Sequence, residues 1–140
     1  MPRRLGGSVA FDVPAEVAFD YLVDPRHRPE WQASLRRVSD VDGLPRRGQT
    51  WTDVTRPGLR PAMRTDLLER PRLWSESGRW RSVRAELGLR LEAVAGSACV
   101  VHFSFRIHVL GPIGLVVTAL GAPAVAGDLR RAARILSSRR

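Results

Sequence analysis

Hydrophobic and polar positions alternate most regularly in two stretches near the C-terminal end of the chain. Val83, Ala85, Leu87, Leu89, Leu91 and Ala93 share one parity against Arg84, Glu86, Gly88, Arg90 and Glu92. Cys99, Val101, Phe103, Phe105 and Ile107 alternate in the same way with His102, Ser104, Arg106 and His108. A period of two marks a strand with one dry and one wet face. The Gly96-Ser97 turn between the two predicts an antiparallel hairpin of Val83 to Val94 with Ala98 to His108, with Leu89 and Phe103 on its buried side.

The same reading extends to the rest of the chain. Val9, Phe11 and Val13 alternate with Ser8, Ala10 and Asp12 and predict a first strand. Pro14 suits the opening of a helix, Glu16 suits its first turn, and Val17, Ala18, Tyr21 and Leu22 make its apolar stripe. Asp24-Pro25 ends it. A short second helix is expected from Arg26 to about Ala33, anchored by Trp31. Further strands are expected over Leu35 to Val41, Thr50 to Arg56, Arg60 to Arg70 and Leu73 to Ser77, separated by Asp42-Gly43, Pro57-Gly58, Pro71 and Gly78. From Ile113 to about Leu136 the chain reads as one long helix. Its second half sets Leu129, Ala132, Ala133 and Leu136 against Arg130, Arg131 and Arg134, whereas its first half is apolar all round and interrupted by Gly121, Pro123 and Gly127. Strand, two helices, a run of about six strands and a terminal helix make an α+β order, with a sheet of about seven strands covered on one side.

A chain of 140 residues has the length of one domain, here residues 1–140, and can bury a core without staples. Cys99 is its single cysteine, so no internal disulfide exists, and with no secretory signal at the start a cytoplasmic location is expected. The net charge of +9 raises the question of nucleic acid. Yet every one of the 23 basic residues is arginine and asparagine is absent as well, a pattern of GC-rich codons. The arginines are scattered in pairs, and no zinc-finger spacing or RNP-like aromatic motif accompanies them. Specific nucleic-acid binding is therefore not expected, only weak binding that fades by physiological salt. Val109 to Gly127 is an uncharged run of 19 residues, diluted by four glycines and two prolines. Peripheral membrane contact is the most it suggests.

No Gly-x-Ser-x-Gly, P-loop, paired-cysteine spacing or His-Glu-x-x-His is present, so no metal or cofactor is expected. His102 and His108 have the outward parity of a solvated sheet face.

The entry SVAFDVPAEVAFDYLVDP, the Pro29-Glu30-Trp31 anchor, the Gly48-to-Trp51 strand start, the ERPRLW turn and the DLRRAARIL end together resemble the START-like, or SRPBCC, superfamily, which includes polyketide cyclase/dehydrase-like proteins. The resemblance covers nearly the whole chain. It implies a helix-grip fold, a curved antiparallel sheet wrapped on the long C-terminal helix, with a small-molecule cavity between the two. An apolar or amphipathic ligand, lipid-like or polyketide-like, is implied as the partner. By the same resemblance Trp31 and Trp51 are expected at the cavity wall, within a wider set of Leu67, Leu87, Leu89, Phe103, Phe105, Val117 and Leu120. Tyr21, Arg64 and Thr65 are the candidate polar liners. Catalytic residues stay unassigned: a polyketide cyclase/dehydrase-like activity in the same cavity is one alternative. A basic surface module acting on membrane or nucleic acid through Arg130, Arg131, Arg134, Arg139 and Arg140 is another.

Overall fold

The computed structural model describes residues 5–94, 96–109 and 113–139, and for residue 5 and residues 113–122 the backbone alone. Seven strands form one antiparallel sheet: β1 (Leu5–Phe11), β2 (Leu35–Ser39), β3 (Thr50–Thr55), β4 (Ala62–Glu69), β5 (Leu73–Trp80), β6 (Val83–Val94) and β7 (Ala98–His108). Their order across the sheet is β1-β7-β6-β5-β4-β3-β2. After β1 come α1 (Ala15–Val23), a 3₁₀ turn at Pro25–His27 and α2 (Arg28–Trp31), and the chain ends in α3 (Ile113–Ser138), which packs on β1 and β7. This is the α+β helix-grip arrangement.

The β6–β7 hairpin takes the expected register, with Leu89 opposite Phe103 and Leu87 opposite Phe105, and it turns at Gly96, whose φ of 76° favours glycine. Val101, Phe103, Leu89 and Leu91 are buried with Leu129, Ala132 and Leu136 of α3. His102 and His108 stand on the other face.

Three local readings change. β5 does not stop at Gly78 but runs to Trp80, because Gly78 is paired on both sides, to Met63 and to Ala85. In α1 the buried residues are Ala15, Ala18, Phe19, Tyr21, Leu22 and Val23, and Val17 is exposed. A bulge in β4 between Thr65 and Leu67 moves the inward parity by one residue, so Leu68 opposes Trp74 and packs on the core while Leu67 opposes Ser75. α3 continues through Pro123.

Candidate functional site

One inward row of the sheet holds two small residues beside a methionine. Met63, Gly78 and Ala85 lie side by side on β4, β5 and β6, next to a row of Glu76, Leu87 and Phe105 on β5, β6 and β7. Ala85 leaves room in this row, while the position over Gly78 is taken by the Met63 side chain, whose Sδ a Cβ there would meet at 2.6 Å. The row borders a cavity of about 380 Å³. Gly78, Ala85, Leu87 and Phe105 line its floor, Leu59, Pro61, Trp80 and Val83 its rim, and Ala124, Val125 and Asp128 of α3 its roof. Its walls are mostly apolar. This is the size and character of small-molecule sites.

Charge is concentrated at one end, where α2 meets β3 and β5. Arg28, Asp53 and Glu76 all line the cavity and are only 3%, 4% and 5% exposed. Arg28 grips Asp53 with a fork: Nε donates to Oδ1 at 3.2 Å and Nη2 to Oδ2 at 2.9 Å. Trp51 Nε1 donates to the same Oδ1 at 2.9 Å, and the guanidinium lies 5.2 Å from the Trp51 ring centre. On the other side Arg28 Nη1 is 2.9 Å from Glu76 Oε2, a buried ion pair. The buried Nε1 of Trp31, also in the lining, has no hydrogen-bond partner among the described residues.

The two ends of the Arg28–Glu76 contact respond differently. For Arg28 burial disfavours the charge, but Glu76 and Asp53 together outweigh it and hold the guanidinium charged. Glu76 has only a share of that one cation. Its burial dominates, Asp53 adds repulsion, and its carboxyl is pushed up to about 7. Asp128, across the cavity on α3, is also raised by burial, against the pull of the Ala33 N–H that donates to its Oδ1 at 3.2 Å.

A pH dependence of stability follows. The folded-state value of Glu76 lies above its ordinary 4.5, so its contribution is fully present below pH 4.5 and is lost as pH rises to about 7. In that window the slope from this group approaches about 1.4 kcal/mol per pH unit. The groups facing it are Arg28 from α2, Asp53 from β3 and Asp66 from β4. Urea titrations across the window should show the slope in the parent and its loss in Glu76→Gln; an unchanged slope in the variant would place the titrating group elsewhere.

Of the residues that the sequence nominated, the structure gathers Trp31, Leu87 and Phe105 around this cavity. Trp51 stands behind Asp53 rather than at the wall, and Leu89 and Phe103 are deeper in the core. Leu67 is displaced by the bulge. Among the polar nominees, Tyr21 donates to Glu30 at 2.8 Å away from the cavity, Arg64 is exposed beside Asp66, and Thr65 is buried opposite Glu76 without lining the wall. The side chains of Val117 and Leu120 lie outside the described residues. Arg28, Asp53, Glu76 and Asp128 were not nominated from sequence. Their signal was present for two of them: Asp53 and Glu76 occupy the inward parity of their strands with Trp51 and Trp74.

The sheet's outer face carries a second polar chain, Ser8 Oγ to His102 Nδ1 at 2.8 Å and His102 Nε2 to Glu92 Oε1 at 3.0 Å. It has the order of a nucleophile, base and acid. It is exposed and lines no part of the cavity. Glu86 on the same face is held down to about 2: burial opposes this, but Arg106 and His108 donate to it and outweigh burial. No cluster of three potential metal ligands occurs among the described residues. No described helix is long and apolar enough to cross a membrane.

The family model for polyketide cyclases/dehydrases and lipid transport proteins matches residues 3–139. The chain belongs to this family. A comparison with curated proteins finds none that matches. Solved structures of similar fold include norcoclaurine synthase from Thalictrum flavum in complex with dopamine and hydroxybenzaldehyde, at 12% identity and a TM-score of 0.76 over 100% of this chain and 89% of that one. A START superfamily protein from Mycobacterium smegmatis is similar at 11% identity and a TM-score of 0.73, over 95% and 98%. The di-domain ARO/CYC protein BexL from the BE-7585A biosynthetic pathway is similar at 13% identity and a TM-score of 0.78, with 96% of this chain on 46% of that one. At these identities the likeness is one of fold. The shared fold is the helix grip.

Proposed function

We propose that this protein binds an amphipathic small molecule, with the apolar body over Gly78, Ala85, Leu87 and Phe105 and the polar end toward Arg28, Asp53 and Glu76. The observation that carries the reading is the cavity itself. Its walls are mostly apolar, and polar groups converge at one end, the division that orients a ligand as well as holding it. The family, whose description covers both polyketide cyclisation and lipid transport, fits a ligand of this kind. An apolar fluorescent probe should bind the folded protein with roughly micromolar affinity, on the order of −8 kcal/mol. Absence of saturable binding at high micromolar protein would remove the reading.

A second reading, a cyclase/dehydrase-like enzyme in the same cavity, is favoured by Glu76. A carboxyl whose burial pushes it up to about 7 at the wall of a mostly apolar cavity is suited to take a proton from a carbon beside a carbonyl and to return one to an oxygen. Arg28 keeps it in place, and the similarity in fold to an aromatase/cyclase protein agrees with such chemistry. Loss of one water from an aryl diketone mixed with the protein, measured by mass spectrometry, should be protein-dependent and should vanish in Glu76→Gln while the probe still binds. Equal turnover by that variant would leave binding alone.

A further inference from the structure

Arginine at the end of an apolar chamber suggests a site for a carboxylate, as in a fatty acid. The geometry here argues otherwise. Arg28 is engaged on all three nitrogens: Nε and Nη2 hold Asp53, Nη2 also reaches the Gln32 side chain, and Nη1 lies against Glu76. No other arginine lines the chamber among the described residues. Against this single, occupied cation the chamber wall presents Asp53, Glu76 and Asp128. Glu86 touches the wall too, but its charge is met by Arg106 and His108 on the sheet's outer face. In a protein with a net charge of +9, the lining of this cavity is therefore acidic.

The neighbours of the charged groups say what the site can take. Glu76 Oε2 already has Arg28 Nη1 at 2.9 Å, and it is an acceptor whenever the carboxyl is charged. Trp31 Nε1 is a buried donor with no acceptor. A neutral donor adds no charge beside these carboxyls, and an ammonium would offset them, whereas a carboxylate would set a third or fourth negative charge in a low-dielectric space. We propose that the chamber takes ligands whose apolar body ends in a neutral or cationic hydrogen-bond donor, a phenol, alcohol or amine, and that it turns carboxylates away. This rests on the reading of the chamber as a ligand site.

Three probes with one body separate the possibilities: 2-naphthol, 2-naphthylmethylamine and 2-naphthoate, titrated calorimetrically into the full chain at pH 7.5. The naphthol and the amine should bind, and the naphthoate at least tenfold more weakly. Glu76→Gln should narrow that gap by strengthening naphthoate and weakening the amine. Asp128→Asn, which keeps the acceptor for the Ala33 N–H, should act in the same direction and serves if the first variant does not fold. Naphthoate binding as tightly as the other two, or a gap that neither folded variant changes, overturns the proposal and leaves the ligand site standing. If none of the three binds, the ligand-site reading falls and the proposal with it.

Discussion

Replacing Arg28 with leucine should cost about 3–5 kcal/mol of folding stability, the usual penalty for removing one partner of a buried ion pair. Asp53 would keep only the Trp51 N–H, and Glu76 would lose its one cation, so two buried carboxyls would stand together with no counter-charge. They would meet this by protonation, and the variant should recover part of its stability as pH falls toward 5, more steeply than the parent. Asp53→Asn in the same background should restore some of the loss at neutral pH, because it removes a charge while keeping an acceptor for Trp51. Urea unfolding of the three proteins measures this directly. A loss below about 1 kcal/mol for Arg28→Leu would mean that water reaches the cluster freely and that its burial has little energetic weight.

The frame of the molecule was legible because it rests on alternation. β6 and β7 carry a period of two over most of their length, and a strand with this pattern has one way to bury its apolar side. The terminal helix was legible for a similar reason, since Leu129, Ala132 and Leu136 recur at helical spacing against arginines. Parity failed where the backbone departs from it. The β4 bulge exchanged Leu67 for Leu68, and bulges leave no clear trace in a single sequence.

The site was less legible than the frame. Its floor sets Gly78 and Ala85 opposite one another on neighbouring strands, and that juxtaposition depends on register, which the strand pattern alone does not give. Gly78 read instead as a break. Its charged end joins Arg28 to Asp53 across 25 residues, and Arg28 sits on a helix of four residues, too short for any periodicity to say which way it faces. What the sequence did offer was an acidic residue at an inward position on each of two strands. A buried carboxylate demands a cation or a proton, so Asp53 and Glu76 at that parity were evidence for a buried arginine not far away.

The largest effect on binding should come from filling the cavity. In Ala85→Trp the indole would project from β6 into the cavity, whose floor Ala85 now lines. Binding of an apolar probe should fall at least 100-fold, which corresponds to about 3 kcal/mol. Val125→Trp should do the same from the roof, since Val125 lines the cavity from α3. The control lies one residue away. Arg84 neighbours Ala85 on β6 but is exposed on the opposite face, so Arg84→Trp should leave probe binding within twofold of the parent. Circular dichroism and urea midpoints establish that each variant is folded. Because alternate residues of one strand point to opposite sides of the sheet, adjacent positions that respond oppositely would locate the ligand on the helix side. If Ala85→Trp and Val125→Trp both fold and bind like the parent, the probe occupies some other surface and this cavity is not its site.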